Sequence, residues 1–550
     1  MKKFLILVAL LGVSLSIHPS QPQNPRVVIA FVIDQFPFYY FSRHQRHFKY
    51  RGFNRFIKEG ILYTNAQHAH GIPETAPGHT TLSTGSLPTS HGVVSNRWFE
   101  NNGTTTVNFT EDEREEKAVI GVPDDVIGRS PHHIKVDALA DQMIRHQSSQ
   151  SNYKAFTVAI KERSAIATAG QNASPFWFNT FRGGFTSSKH YMQRLPRWVK
   201  KFNERCGIRQ LKKVSWPLSF EADHPAYDFP DINNYDYAGD SSTLAGKSNI
   251  PINHSKKNNF EYYVKTPAAN KLILDFAECC INNMYKKRSN EKILLWVCLS
   301  PLDLVGHIYG PDSLEIVDFI HHIDRQLSNF MSKMERKFGN KVMFVLAADH
   351  GVQPIQEISQ LQGIEQARRI MAPDLIKRIN GMIAQKYDVD NFITRFESTY
   401  FIYNIEAAAH LKDKGLLDKA EVDTKKLLLE EPGIKRVWTY DELKKLPCQP
   451  NSHEQFYKNH LHEARLGNLI VQPEAYCLVT NYPTGCSHNT PYNYDTHIPL
   501  AFYQKGMRPQ HIDQPVYAAQ LAGSIAKVLD VPPPAASLLD PLPHIVQVAH

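Results

Sequence analysis

The stretch Arg26-Val-Val-Ile-Ala-Phe-Val-Ile33, followed at once by Asp34, decides the fold of this chain. Its apolar residues are consecutive rather than alternating and mostly β-branched or aliphatic, which is typical of a strand covered on both faces. Three further runs resemble it, at residues 155–160, 292–298 and 341–347. Between them, residues 314–334 carry apolar side chains at spacings of three and four, which predicts a helix. We therefore predict an α/β fold, with a doubly wound, mainly parallel sheet sandwiched by helices.

Two stretches do not follow this alternation of strands and helices. Residues from about 176 to about 264 are rich in aromatic residues, Pro, Asn and Asp, and residues from about 353 to about 482 contain strand-like pieces of their own. We predict cap insertions beside the main sheet at both places. Ordinary loops and edge strands added to the sheet would produce the same pattern, so the sequence leaves both interpretations open.

The composition indicates a folded protein with a mild positive charge. The 550 residues are 42% hydrophobic and 21% charged, values typical of globular domains. The 62 Lys and Arg exceed the 54 Asp and Glu, which leaves a formal net charge of +8. There is no dense basic stretch with interleaved aromatic residues, so we expect no nucleic-acid partner. This charge suits an anionic small-molecule substrate equally well.

The N-terminus has the pattern of a secretory signal peptide. Lys2 and Lys3 precede an apolar run at residues 4–13, and Ser14-Leu15-Ser16 offers small residues for cleavage. We predict a signal peptide over residues 1–16 and a periplasmic or secreted mature protein. The alternative is a membrane anchor, which is disfavoured because the run is too short to span a bilayer comfortably. No other segment looks long and apolar enough, so no stable membrane insertion is expected.

The seven cysteines indicate neither a thiolate metal site nor a particular set of disulfides. Their odd number leaves at least one unpaired, and none lies in a C-x-x-C pair. Adjacent Cys279 and Cys280 are expected to pair with other cysteines rather than with each other. The disulfide pairing itself stays open.

Charged side chains follow each of the four predicted strands. Because the carboxyl ends of parallel strands meet at one edge of a sheet, where ligands bind, these side chains should lie together. A single Asp after a strand is usually a cap or turn residue. Four such endings, two of which combine Asp with His, instead predict a functional site. The residues are Asp34, Lys161, Arg163, Asp303, His307, Asp349 and His350.

The mixture of carboxylates and imidazoles favours zinc over calcium or magnesium, which prefer oxygen ligands alone. Manganese or iron would also accept such ligands. In Asp303-Leu-Val-Gly-His307 a helical i,i+4 spacing would place both side chains on one side of a turn. The sequence therefore predicts a transition-metal site at this edge of the sheet.

A separate motif at residues 71–85 reads Gly-Ile-Pro-Glu-Thr-Ala-Pro-Gly-His-Thr-Thr-Leu-Ser-Thr-Gly. Small and hydroxyl residues lead from Pro and Gly into a helix, with Thr75 at the junction. Thr75 is either an ordinary N-cap or a nucleophile. A helix N-terminus stabilises a deprotonated hydroxyl or a phosphoryl group, and an adjacent metal would lower the pKa of the hydroxyl further.

Eight stretches of the sequence occur in an order that is similar to one known superfamily. They are Phe31-Val-Ile-Asp34-Gln-Phe, Thr75-Ala-Pro-Gly-His-Thr-Thr, His91-Gly-Val-Val-Ser-Asn96, Lys161-Glu-Arg163-Ser-Ala, Asp303-Leu-Val-Gly-His307-Ile-Tyr-Gly-Pro, Ala348-Asp349-His350-Gly-Val, His488-Asn-Thr-Pro-Tyr-Asn-Tyr-Asp495-Thr-His-Ile-Pro and Val531-Pro-Pro-Pro-Ala-Ala. The chain resembles the alkaline phosphatase superfamily, nearest to the phosphate-irrepressible bacterial alkaline phosphatases of its phosphodiesterase/nucleotide pyrophosphatase branch. The resemblance covers nearly the whole mature chain, from about residue 26 to about residue 537.

The resemblance implies an alkaline phosphatase-like catalytic domain over residues 17–550 that binds two Zn²⁺ ions. One ion is implied to be held by Asp303, His307 and His488. The other is implied to be held by Asp34, Asp349, His350 and the oxygen of Thr75. Asn96, Lys161 and Arg163 are implied to contact the phosphoryl oxygens.

One ligand assignment departs from the family pattern. The family usually has Gly after the late His, whereas this chain has Asn489. His497, nine residues after His488, is the alternative ligand. We prefer His488 because Tyr494-Asp495 fixes the register of the motif.

The resemblance also implies a reaction, the hydrolysis of small-molecule phosphate monoesters through a covalent phosphothreonine at Thr75. Lys161 and Arg163 favour monoesters over diesters, because a monoester has more negative charge and three nonbridging oxygens. We expect a monomer. The alternatives are a phosphodiesterase or nucleotide pyrophosphatase with the same metal site, and an exported metal-binding protein without catalysis. A sulfatase is disfavoured because that branch uses a modified Cys or Ser where this chain has Thr75.

Overall fold

The computed structural model describes most of the chain. The described residues are 24–100, 105–114, 117–122, 126–147, 152–206, 214–227, 249–250, 260–286, 291–462 and 465–545. The predicted signal peptide at residues 1–16 lies outside them. Parts of the predicted insertion at about 176–264 lie outside them as well.

A ten-stranded sheet forms the centre of the molecule. Its strands in chain order are β1 (Val27–Ile33), β2 (Ile61–Gln67), β3 (Asn152–Ala159), β4 (Ser174–Asn179), β5 (Gly184–Thr186), β6 (Glu291–Leu299), β7 (Val342–Ala347), β8 (His497–Gln504), β9 (Gln510–Ile512) and β10 (Val516–Tyr517). Their order across the sheet is β9-β2-β8-β7-β1-β6-β3-β4-β5, and β10 also pairs with β2.

The four apolar runs of the sequence become the neighbouring strands β7, β1, β6 and β3. These strands run parallel, with Val27 opposite both Ile293 and Val342 in the register. All seven residues of β1 are buried, as expected for a strand with helices on both faces. Only β8 and β5 run antiparallel to their neighbours. The prediction of an α/β fold with a mainly parallel, helix-covered sheet is confirmed.

Helices cover both faces of the sheet. Four of them are labelled because they are discussed below: α1 (Thr75–Thr84), α2 (Glu162–Ala169), α3 (Pro301–Tyr309) and α4 (Leu314–Phe338). The predicted helix at 314–334 is α4, whose apolar side is buried and whose N-cap Ser313 accepts a hydrogen bond from the Ile316 amide. The other described α-helices are Tyr39–His44, Phe53–Lys58, Pro88–His91, Leu139–Arg145, Arg197–Arg205, Pro267–Met284, Gln356–Leu361, Ala372–Tyr387, Ile405–Asp413, Leu417–Leu429, Tyr440–Lys445, His453–His460, Asn493–Thr496 and Gln520–Leu529.

The region of the second predicted insertion, residues 353–482, contains a sheet of its own. Four strands pair in the order Ile393–Glu397, Tyr400–Tyr403, Leu469–Pro473 and Ile434–Thr439, and all pairs are antiparallel. Helices pack on this sheet around a separate hydrophobic core that includes Ile379 and Leu428. Further two-stranded pairs are Arg368–Met371 with Cys477–Thr480, Arg97–Glu100 with Thr105–Asn108, Glu111–Asp112 with Gly128–Arg129, and Trp216–Pro217 with Asn249–Ile250.

The region of the first predicted insertion begins inside the main sheet. Residue 176 lies within β4, and β5 forms the edge of the sheet next to it. All seven cysteines lie in described residues and all are free. The expectation that Cys279 and Cys280 pair with other cysteines is therefore wrong. Both lie near the end of the helix Pro267–Met284, where Cys280 is buried.

Candidate active site

Side chains from four adjacent strand ends meet at one edge of the main sheet. Asp34 directly follows β1. Lys161 lies two residues after the end of β3, and Asp349 lies two residues after the end of β7. Asp303 lies in the first turn of α3, which begins two residues after β6. Because these strands are parallel neighbours, their carboxyl ends bring the four side chains into contact.

Asp303, His307 and His488 form the first group of candidate metal ligands. The Nε2 atoms of His307 and His488 lie 3.2 Å and 3.5 Å from Asp303 Oδ1, and 3.2 Å from each other. His307 Nδ1 lies 2.8 Å from the Cys486 carbonyl oxygen, and His488 Nδ1 lies 2.8 Å from the Pro73 carbonyl oxygen. These backbone contacts orient both rings so that Nε2 faces the carboxylate, which is the usual arrangement of metal-binding imidazoles.

Asp34, Asp303 and His350 form a second group, which shares Asp303 with the first. His350 Nε2 lies 3.4 Å from Asp34 Oδ1 and 3.5 Å from Asp349 Oδ2. The ring of His350 stacks on that of His488, with 3.6 Å between their centroids. The two groups are therefore contiguous, and every member except His307 is buried.

Thr75 lies at the beginning of α1, beside these groups. It is the first residue of the helix and is 1% exposed. Its Oγ1 atom lies 3.4 Å from Lys161 Nζ. One turn further along α1, His79 Nδ1 lies 3.1 Å from Asp349 Oδ2 and 2.8 Å from the Thr75 carbonyl oxygen. The hydroxyl of Thr75 thus lies next to a cation and at the positive end of a helix.

The three residues predicted to contact the phosphoryl group differ in their hydrogen-bond partners. Lys161 Nζ donates to Asp34 Oδ2 at 2.7 Å and to Asp303 Oδ2 at 2.5 Å. Asn96 Oδ1 accepts a hydrogen bond of 2.9 Å from the Ala76 amide in the first turn of α1. Arg163 lies in the first turn of α2, and its Nε atom is buried with no hydrogen-bond partner among the described residues.

The buried carboxylates of Asp34, Asp303 and Asp349 repel one another. Burial, with the neighbouring carboxylates Asp303 and Asp349, raises the pKa of Asp34 to about 8. Burial also raises the pKa of Asp349 to about 7, although Lys161 opposes the shift. A bound cation would relieve this repulsion, so the electrostatics favour a metal at this place.

The pKa of Asp303 is shifted in the opposite direction, below its ordinary value. Burial alone would favour its neutral form, but His307 and Lys161 outweigh burial and hold its pKa well below the ordinary value. Burial likewise disfavours charge on His307, but the Asp303 carboxylate outweighs burial and raises the pKa of the imidazole. Asp303 is therefore the carboxylate that stays ionised between the two groups.

The donor set fits a metal ion on grounds of hydrogen bonding as well. Asp34 Oδ1, Asp349 Oδ2 and His350 Nε2 are buried without a hydrogen-bond partner among the described residues. Buried polar atoms normally have partners, and these three lie close together, with His350 Nε2 3.4 Å from Asp34 Oδ1 and 3.5 Å from Asp349 Oδ2. Carboxylate oxygens and imidazole nitrogens together match the ligands that zinc accepts.

His497, the alternative to His488, lies away from both groups. Its Nε2 atom lies 2.8 Å from the Thr64 carbonyl oxygen, and its ring stacks on Phe38 with 4.7 Å between centroids. His488, in contrast, contacts Asp303, His307 and His350. The geometry therefore favours His488 as the candidate ligand, despite the unusual Asn489 after it.

Sequence reasoning missed two polar residues that hold the site together. Gln35 donates from Nε2 to Asp303 Oδ1 at 2.9 Å and from its backbone amide to Asp349 Oδ1 at 3.2 Å. Its φ of 61° lies in the left-handed region, which is uncommon outside glycine and is found at functional sites.

The second residue is Glu74, which lies between Asn96 and the sheet of residues 353–482. The only signal for either residue was its position next to Asp34 or Thr75.

Residues 28–495 match the family described as type I phosphodiesterase / nucleotide pyrophosphatase. The chain belongs to this family. It is 27% identical to the alkaline phosphatase PafA of Elizabethkingia meningoseptica over 95% of each chain. It is 26% identical to a protein named calcium-transporting ATPase of Myroides odoratus, over 96% of this chain and 95% of that protein. It is 24% identical to the alkaline phosphatase PhoV of Synechococcus elongatus, over 95% of this chain and 93% of that protein.

A crystal structure of wild-type alkaline phosphatase PafA has the same fold. It matches with a TM-score of 0.83 and 25% identity, over 94% of this chain and 98% of that chain. The predicted membership of the superfamily and of its phosphodiesterase/nucleotide pyrophosphatase branch is confirmed. The chain is an alkaline phosphatase-like hydrolase with a candidate metal site. Among the helices that the structure describes, none combines the length and hydropathy needed to cross a bilayer.

Proposed function

We propose that this chain is an alkaline phosphatase, a phosphate monoester hydrolase that uses two zinc ions and Thr75 as nucleophile. The observation that carries the proposal is the placement of Thr75 Oγ1 at the N-terminus of α1, 3.4 Å from Lys161 Nζ. Two relatives that are similar over most of the chain carry the name alkaline phosphatase, which supports this activity over others in the family.

The metal ions are proposed to lie at the two groups of ligands described above. One set of ligands is Asp303, His307 and His488, and the other is Asp34, Asp349, His350 and the oxygen of Thr75. Zinc bound there would supply Lewis-acid charge to the attacking and leaving oxygens. The three buried atoms without hydrogen-bond partners and the raised pKa values of Asp34 and Asp349 support this assignment.

Thr75 carries the covalent step. The Thr75 hydroxyl loses its proton and its oxygen forms a bond to phosphorus while the bond from phosphorus to the ester oxygen breaks, and the leaving alkoxide takes a proton to become an alcohol. A water oxygen then loses a proton and bonds to phosphorus while the bond to Thr75 breaks. The threonine oxygen takes up a proton, and phosphate leaves. Because Thr75 is the first residue of α1, the positive end of the helix dipole stabilises the negative charge on the threonine oxygen.

Asn96, Lys161 and Arg163 are proposed to bind the nonbridging oxygens of the phosphoryl group. Because Asn96 Oδ1 already accepts from the Ala76 amide, the Nδ2 amide is the group left to donate to substrate. The Lys161 ammonium adds a point charge and the Arg163 guanidinium a fork of donors. Two cations and an amide suit the dianionic phosphoryl group of a monoester better than the single charge of a diester.

Two other functions remain as alternatives. The family to which the chain belongs favours a phosphodiesterase or nucleotide pyrophosphatase with the same nucleophile and metals. A non-catalytic, exported metal-binding protein would need the ligands but not Thr75. We further propose that the protein is a periplasmic or secreted monomer that acts on small phosphate monoesters and binds no nucleic acid.

The substitution Thr75→Ala tests the proposal. We expect hydrolysis of a phenyl-type phosphate monoester to fall by at least about a thousandfold, because the covalent route is lost. Zinc content, measured by elemental analysis, should stay near that of the wild type, since at least three other side chains bind each ion. Thr424→Ala, at a buried threonine of the helix Leu417–Leu429, is the matched control and should keep full activity.

The same samples separate the alternatives. A wild-type rate higher on the matched diester than on the monoester would favour the phosphodiesterase. Unchanged turnover in Thr75→Ala would remove this residue from the mechanism. Zinc binding without hydrolysis of either ester would leave only the metal-binding protein.

A further inference from the structure

Glu74 is a buried carboxylate immediately before the proposed nucleophile. It is the N-cap residue of α1 and is 5% exposed. Its side chain makes no capping hydrogen bond to the helix, and Glu is not among the residues preferred at this position. A buried negative charge next to the proposed binding site of an anionic substrate is also unfavourable for binding. The position of Glu74 therefore requires another explanation.

The carboxylate of Glu74 instead holds the segment that carries Asn96. Its Oε2 atom accepts hydrogen bonds from the Asn96 backbone amide and from Ser95 Oγ, both at 2.8 Å. The Asn96 side chain in turn accepts from the Ala76 amide at 2.9 Å. Asn96 is thus fixed at two points, by its backbone to Glu74 and by its side-chain oxygen to α1. Both contacts determine where its Nδ2 amide points.

The other oxygen of Glu74 reaches the sheet of residues 353–482. Glu74 Oε1 accepts a short hydrogen bond from Ser398 Oγ. Ser398 lies at the tip of the hairpin formed by Ile393–Glu397 and Tyr400–Tyr403, with a φ of 53°. A non-glycine residue in the left-handed region is strained, so specific contacts have to hold it there.

A second contact fastens the same hairpin tip to the same segment. Arg97 Nη2, one residue after Asn96, pairs with Glu397 Oε2 at 2.6 Å. The Arg97 side chain is 48% exposed, so this ion pair is screened by solvent and adds little on its own. The Glu74–Ser398 bond is less exposed, because Glu74 is buried and Ser398 half-buried, and it is therefore the stronger attachment of the hairpin to the site.

We propose that Glu74 is a positioning residue that joins the Ser398 hairpin tip to Asn96 and so aims the Asn96 amide at the phosphoryl group. This inference rests on the proposed function, because it assumes that Asn96 binds a phosphoryl oxygen. Through Glu74, residues 353–482 contribute to the geometry of a site whose proposed metal ligands all lie outside them. Glu74 itself touches neither substrate nor metal.

The experiment compares Glu74→Ala, Glu74→Gln and Ser398→Ala in the zinc-loaded full chain. Glu74→Ala should lower kcat/KM for the monoester by about tenfold to a hundredfold, because Asn96 loses its anchor. Glu74→Gln should keep most of the activity, since its amide oxygen can accept from the Asn96 N–H and its NH₂ can donate to Ser398. Ser398→Ala should cause a smaller loss in the same direction.

A double-mutant cycle with Asn96→Ala shows whether Glu74 acts through Asn96. In the Asn96→Ala background, Glu74→Ala should change kcat/KM by less than about twofold, because the group that it positions is gone. The same loss in both backgrounds would overturn the proposal and would mean that Glu74 acts on Thr75 or on the fold. Ser398→Ala with wild-type kinetics would overturn the role of the hairpin.

Two further measurements separate this role from general destabilisation and from a failure of the proposed function. Glu335→Ala, which removes a carboxylate bonded to Arg55 and Tyr503, is the control and should lower Tm without changing kcat/KM. Inorganic phosphate binding, measured by calorimetry, should weaken in Glu74→Ala and in Asn96→Ala. If the wild type hydrolyses no monoester but phosphate binding still depends on Glu74, the proposed function is wrong and the positioning role stands. Phosphate affinity that is unchanged in Glu74→Ala would overturn the positioning role.

Discussion

At the scale of single residues, the candidate site concentrates negative charge that the protein alone does not neutralise. Lys161 is in contact with both Asp34 and Asp303, yet burial still raises the pKa of Asp34 to about 8 and that of Asp349 to about 7. A cation at Asp34 and Asp303 would compete with the ammonium for the same oxygens. The protonation of these carboxyl groups and the binding of metal are therefore linked.

The linkage predicts that zinc affinity rises with pH. Below about pH 7 the metal-free protein holds protons on Asp349 and Asp34, since both pKa values are raised, and zinc must displace these protons. Above about pH 8 both groups are ionised and affinity should level off. Calorimetry in buffers of different ionisation enthalpy should show more protons released at pH 6 than at pH 9. Proton release that does not depend on pH would contradict the raised pKa values.

At the scale of elements, α1 packs directly on the loop after β7. A Cβ atom added at Gly78 would lie 2.2 Å from the Asp349 carbonyl oxygen and 2.9 Å from Asp349 Cβ. Real Cβ contacts are never this short, so the helix and the loop would have to separate. The glycine lets α1 bring Thr75 and His79 close to Asp349, which the contact between His79 and Asp349 confirms.

Gly78→Ala should therefore impair the site although alanine favours a helix. We expect monoesterase activity to fall by more than about tenfold, because a shift of about 1 Å would misplace the proposed nucleophile Thr75 or the proposed ligand Asp349. Gly381→Ala, inside the helix Ala372–Tyr387 with nothing within 4 Å of the added Cβ, is the matched control. It should keep activity and gain about 0.5–1 kcal/mol of stability from helix propensity. Full activity in Gly78→Ala would show that the packing can relax.

At the scale of the whole molecule, the strands that carry the proposed ligands and the hairpin that carries Ser398 pack in different hydrophobic cores. Ile379 is fully buried in the separate core of residues 353–482, whereas β1, β6 and β7 belong to the main core. A third cluster joins the sheet of residues 353–482 to Ile72 and Phe99. Since Ile379 lies outside that cluster, damage at Ile379 should leave the main core folded. The Glu74–Ser398 hydrogen bond is one of the contacts that connect the region of the smaller core to the candidate site.

Ile379→Ala should lower the stability of the smaller core by about 2–5 kcal/mol, the usual cost of a large-to-small change in a buried position. Zinc content should be unchanged, since every proposed ligand lies outside residues 353–482. Hydrogen exchange should increase in the helices of that region and not in β1 or β6. If zinc is lost and amide exchange also becomes faster in β1, the two cores unfold as one unit.

Much of this arrangement is predictable because it depends on local features of the chain. Buried parallel strands leave continuous apolar runs, and the residues after them lie at the carboxyl edge whichever strands become neighbours. This is why Asp34, Lys161, Asp303 and Asp349 could be proposed as one cluster. Gln35 and Glu74 could not be predicted in the same way, because each has a partner that is remote in the chain. Gln35 is 268 residues from Asp303, and Glu74 is 324 residues from Ser398.

The sequence by itself determined the class of fold, the types of side chain at each strand end and the helix that begins at Thr75, since periodicity and residue chemistry are local properties. Only the tertiary structure decided that β1 lies between β6 and β7, that Asp303 is shared by both groups of candidate ligands, and that His488 rather than His497 lies beside Asp303 and His307. It also decided that a hairpin of a separate sheet is bonded to Glu74. The physical reason is that distances between side chains remote in the chain depend on which elements pack together, and packing is a property of the whole fold.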